Sequence, residues 1–155
     1  MEDGKVVGFN TGKGTLFALI GMLVGFGIWL AVIAVTGFGT GGAIGGAFAG
    51  ILAVLVANGY KKGPGKPGAV GIIIVALISL VAATAAITFG TAFLLHREGV
   101  GHNVFGALET LFDLLGTNRQ LTAAFLQDLI ISTGISVIMT IVTLVGSGKK
   151  KAKTA

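Results

Sequence analysis

Four long apolar runs separated by short polar stretches set the pattern of this chain. They extend over about residues 15–36, 42–58, 68–95 and 121–146. A helix needs roughly 20 apolar residues to cross about 30 Å of hydrocarbon. The pattern therefore predicts four transmembrane helices, and the third is long enough that it must tilt or project. Residues 96–119 are the one substantial polar stretch. Within it Val104, Phe105, Leu108, Leu111, Phe112 and Leu115 recur at helical spacing, with Glu109 and Asp113 on another face. This predicts a short amphipathic helix over 103–115, started by Asn103 and stopped at Gly116. Its polar face is acidic, so docking on the protein's own helices is favoured over lying free on lipid. Thr117-Asn118-Arg119-Gln120 reads as a capping box opening the fourth span.

The expected fold is thus an all-α membrane protein. It is a four-transmembrane-helix bundle with one short extracytoplasmic amphipathic helix between the third and fourth spans. Residues 1–13 form a polar cytoplasmic tail, 14–148 a single transmembrane domain, and 149–155 a basic cytoplasmic tail. A cleavable signal peptide would want a shorter apolar core than the first run, and a small-residue cleavage site that is not clear here.

Composition agrees. The chain is 54% hydrophobic and 11% charged over 155 residues, whereas a soluble domain carries about a quarter of charged residues. Cysteine is absent, which excludes disulfides, thiolate metal sites and cysteine nucleophiles. The net charge of +5 does not mark a nucleic-acid binder, because the lysines cluster beside apolar runs. Lys5, Lys13, Lys61, Lys62, Lys66, Lys149, Lys150, Lys151 and Lys153 all fall on one side of four crossings, and only Arg97 and Arg119 on the other. The positive-inside rule then places both termini in the cytoplasm of a multi-pass plasma (inner) membrane protein.

Glycines recur inside the apolar runs. Gly42, Gly46 and Gly50 stack on one face of the second span, and Gly21 and Gly25 on one face of the first. Small residues at such spacing bare the backbone and let helices approach closely in lipid. Two glycine faces in so small a bundle predict that at least one serves a homo-oligomer or a membrane-protein partner. Gly37-Phe38-Gly39-Thr40-Gly41-Gly42 matches the dinucleotide fingerprint, but it lies between two spans rather than in a βαβ unit, so no cofactor is expected.

The run Gly59-Tyr60-Lys61-Lys62, the lysine-proline-glycine turn after it and the isoleucine-rich third span carry a resemblance. So does the segment Asn103 to Ile131, with Phe105, Phe112, Phe125, Asp128 and Leu129. Together, over about half the chain, they resemble small four-span integral membrane proteins of Gram-positive bacteria. The resemblance implies a bacterial plasma membrane and carries over no catalytic or binding residue.

Chemistry is sparse. Asp128 is the one ionisable group inside a span, which marks a functional candidate. With Ser132, Ser136 and Thr140 it makes a stripe at spacings of four, a possible polar pathway for an ion or small solute. The bland alternative pairs Asp128 with Arg97 or Arg119, or sets it near the positive N-terminal end of its helix. Thr84, Thr88 and Thr91 read as packing hydroxyls. His96, Glu98, His102 and Glu109 match no tight metal motif, so no metal is expected. No nucleophile stands beside a base, and no carboxylate lies at mid-span for coupled transport. The expected role is a non-enzymatic scaffold or accessory subunit acting through its glycine-rich faces. The alternative is a small channel or facilitator along the Asp128 stripe.

Overall fold

The computed structural model describes residues 10–36, 42–63 and 68–146. The described residues form five helices: α1 (Thr11–Thr36), α2 (Gly42–Tyr60), α3 (Ala69–Arg97), α4 (Val104–Thr117) and α5 (Arg119–Gly146). Three of them, α1, α3 and α5, are long and apolar enough to cross a membrane, and α2 is a shorter apolar helix. The 29 residues of α3 reach about 43 Å, against about 28 Å for the 19 of α2. The Gly37–Gly41 link, Lys66, Lys149, Lys150 and Lys151 lie outside the described residues, as does the packing around Gly42.

Asparagine side chains set the starts of α1, α4 and α5. Asn10 accepts the Lys13 amide at 3.1 Å, so α1 begins four residues before the expected span and takes Thr11–Lys13 out of the tail. Asn103 caps α4 by accepting the Gly106 amide at 2.8 Å. The cap of α5 is Asn118 rather than the expected Thr117. Its Oδ1 accepts the Gln120 and Leu121 amides, both at 3.1 Å, while the Thr117 hydroxyl turns back to the Asp113 carbonyl at 3.0 Å. The longer helix α4 ends through Thr117, which moves the cap one residue on.

Contacts fix the directions. Gly21 meets Leu55 and Gly25 meets Leu52, so α1 and α2 are antiparallel. Gly46 meets Ile131 and Ile135 and Gly50 meets Met139, so α2 and α5 run parallel. Phe26 packs edge-on against Phe89, and Arg97 reaches Ala34, so α1 and α3 run parallel. Lys13, Lys61 and Lys62 consequently stand at one end of the molecule, and Arg97, α4 and Arg119 at the other.

α2 is the middle of the assembly, packed most extensively against α1 and α5. Its Ala49, Leu52, Ala53, Val56, Ala57 and Tyr60 are all sealed from solvent, and they follow the three-and-four spacing of one helix stripe. Outward positions are apolar: Leu23 on α1, Ile73 on α3 and Ile130 on α5 are each more than half exposed. A water-soluble protein has the reverse arrangement, and lipid is the solvent that such a surface suits.

α4 corrects one expectation. Ala107 and Leu111 are buried against Ala92 of α3, with Val104, Leu108 and Leu115 half-buried beside them. Phe105 and Phe112, assigned from the sequence to that same packing face, are instead exposed alongside Glu109 and Asp113. At 100° per residue they sit on the shoulder of the helix, outside the arc that α3 and α5 cover.

Candidate functional site: glycine contacts and a buried hydroxyl seam

Gly21, Gly25, Gly46 and Gly50 each stand against a neighbouring helix. A Cβ added at Gly21 would stand 2.5 Å from the Leu55 carbonyl oxygen and 2.9 Å from its carbon. At Gly25 it would press on Leu52 at 3.2 Å. The partner surface has its own glycine, because a Cβ at Gly59 would strike the Phe17 carbonyl oxygen. Backbone therefore meets backbone along this pair of helices, and Trp29 stacking on Phe48 at 5.8 Å closes its far end. Gly71 likewise makes room on α3 for the Tyr60 ring.

Gly46 and Gly50 face α5 through Ile135 and Met139. They also floor an open apolar groove of about 580 Å³ between α2 and α5, lined further by Ala47, Ile51, Val54 and Leu55. Ala47 and Ile51 are exposed at its rim. The same two glycines thus contact α5 within the chain and leave a concave surface beside that contact.

The stripe on α5 is its packing face. Ser132, Ser136, Thr140 and Leu144 are the buried residues of that helix, while isoleucine and valine point outward. The Ser136 hydroxyl donates to the Ser79 carbonyl at 3.3 Å, and the Thr140 hydroxyl donates to Ser79 Oγ at 3.0 Å. Ser79 is itself fully buried on α3. These hydroxyls satisfy one another across the α3–α5 seam, the disposition that polar groups need where no water is present. Ser132 Oγ is buried and makes no hydrogen bond. Asp128, one turn nearer the Arg119 end, is half-buried.

Ser79 was not singled out from the sequence. The signal available was a lone hydroxyl inside the run Ile72–Val81, which required a partner somewhere. Thr84, Thr88 and Thr91 each donate to the carbonyl four residues back, at 2.8–2.9 Å, and so complete their own helix.

At the opposite end from the lysines, Arg97 Nη1 donates to the Ala34 carbonyl at 3.3 Å, answering one of the last unpaired carbonyls of α1. Gly101 adopts φ +77° and lies against the Gly106–Ala107 backbone, where no side chain fits. The carbonyl of Gly101 lies 3.2 Å from His96 Nδ1. His102 and Glu109 border a half-polar hollow beside it. Among the described residues, no three His, Asp or Glu side chains come together as a metal site. No protein-family model, characterised protein or solved structure matches the chain.

Proposed function

We propose that the chain is a four-span protein of a bacterial plasma membrane with both termini in the cytoplasm, related to the small Gram-positive proteins it resembles. It acts as a non-enzymatic scaffold or accessory subunit. The observation that carries this reading is the glycine-floored groove between α2 and α5. Gly46 and Gly50 keep its floor low, and its lining is apolar, which suits a membrane helix of a second copy or of another membrane protein. α2 contributes the fourth crossing, since its 19 residues span about 28 Å and its ends meet the Lys61–Lys62 turn and the link to α1.

The test fills the groove from its rim. Ala47→Trp leaves the contacts of Gly46 and Gly50 with α5 untouched, because Ala47 is exposed. Light scattering of the detergent-solubilised protein reads the mass of the complex. The expected result is an assembled wild type and a monomeric variant. A wild type that is monomeric and co-purifies with nothing overturns the reading, as does a variant of unchanged mass.

A second reading, a small channel or facilitator along Asp128, Ser132, Ser136 and Thr140, rests on Ser132 Oγ. A buried hydroxyl without a hydrogen bond is a place where a permeating solute or water would be stabilised. Flux into liposomes that Ser136→Leu abolishes supports it. Flux unaltered by Asp128→Ala and Ser136→Leu removes it.

A further inference from the structure

The end of the molecule where α1 begins and α2 stops carries a second feature. Lys62 Nζ stands 5.9 Å from the centroid of the Phe17 ring. Lys13 precedes Phe17 by four residues on α1, so the two share a helix face one turn apart. Both lysines are exposed. Below them Phe17, Leu16 and Ile20 are 36%, 58% and 47% exposed and begin an uncovered apolar strip. The described carboxylates (Glu98, Glu109, Asp113 and Asp128) belong to the other half of the molecule.

The geometry points to a binding site for the headgroup of an anionic glycerophospholipid, formed by Lys13, Phe17 and Lys62. The two ammonium groups bracket one phosphate, and the aromatic ring holds the second ammonium in place. The strip through Leu16 and Ile20 receives an acyl chain. A soluble phosphate would find the charges but make no use of the strip, whereas a membrane lipid uses both. The cytoplasmic leaflet is where anionic lipid draws basic groups, so the inference rests on the four-span reading.

Native mass spectrometry of the purified full-length protein, with phosphatidylglycerol titrated against phosphatidylcholine, tests it. The wild type is expected to retain phosphatidylglycerol preferentially. Lys13→Gln and Lys62→Gln should each weaken that binding about fivefold, as expected for removal of one basic group near an anionic surface. The control Arg119→Gln removes the same charge at the opposite end of the molecule and should leave the affinity alone. No preference between the two lipids overturns the site. So does a control that weakens binding as much, or inorganic phosphate that displaces the lipid. The span reading is checked separately. The chain has no cysteine, so Thr11→Cys and Thr117→Cys can be labelled singly without background. Labelling of both from the same compartment sinks the four-span arrangement whatever the lipid result.

Discussion

Replacing Gly21 by alanine adds one methyl group, and where that methyl falls determines its effect. It would lie 2.5 Å from the Leu55 carbonyl oxygen, 2.9 Å from the carbonyl carbon and 3.3 Å from Val56 Cα. Ordinary contacts between such atoms begin near 3.5 Å, so α1 and α2 must part by about 1 Å. All three obstructing atoms are backbone, which no rotamer change can move. A gap of that size forfeits about a quarter to a half of the attraction of every contact across the seam. Overpacking of this kind costs about 1–3 kcal/mol, and better helix propensity returns about 1 kcal/mol of it. Gly27 supplies the control on the same helix, since nothing lies within 4 Å of its added Cβ. Gly46→Ala is the intermediate case, because its nearest obstacle at 2.5 Å is the terminal methyl of Ile135, which can swing aside. The expected order of stability is Gly27→Ala above Gly46→Ala above Gly21→Ala, with about 2 kcal/mol between the extremes. Unfolding in mixed micelles by titration with dodecyl sulfate, followed by circular dichroism, measures it. Equal stability of the Gly21 and Gly27 variants would refute the backbone-contact argument, and so would a Gly46 variant less stable than Gly21→Ala.

Two further outcomes are expected of the same assay. Thr140→Val removes the hydrogen bond to Ser79 and should cost about 0.6 kcal/mol, an average value for such bonds between membrane helices. Combined with Ser79→Ala it should show a coupling of that size, and strict additivity would mean that the bond contributes nothing. Asn118→Ala frees the Gln120 and Leu121 amides and should cost about 1 kcal/mol, with Asn118→Asp restoring most of it. An alanine variant as stable as the aspartate would show that α5 needs no cap there.

Helix number and approximate extent were legible in the sequence because lipid imposes a length and a hydropathy that a single chain displays directly. The helix starts were harder. Asn10, Asn103 and Asn118 use the same side-chain acceptor, but the capping-box pattern puts the start of α5 at Thr117, through which α4 extends. Phe105 and Phe112 were misassigned for a related reason. Helical spacing groups them with Leu108 and Leu111, but it cannot say how wide an arc the neighbouring helices cover.

The α5 stripe shows why function was less legible than fold. In water, polar residues repeated along one face mark the exposed side, and a buried polar face suggests a pathway. In a lipid-facing protein the outward side is satisfied by isoleucine, so hydroxyls turn inward whether or not anything passes between them. What distinguishes a seam from a pathway is the partner across the gap, and Ser79 is that partner for Ser136 and Thr140. It lies 57 and 61 residues away in the chain, beyond the reach of any periodicity along α5. The glycines carry the same ambiguity. Gly21 and Gly46 obey one spacing rule, but a Cβ at the first would meet immovable backbone and at the second a movable methyl beside an open groove. Spacing marks a face that can be approached closely. Whether another helix of the chain or a separate molecule makes the approach is decided by what already fills it, and beside Gly46 and Gly50 that face continues into unfilled space.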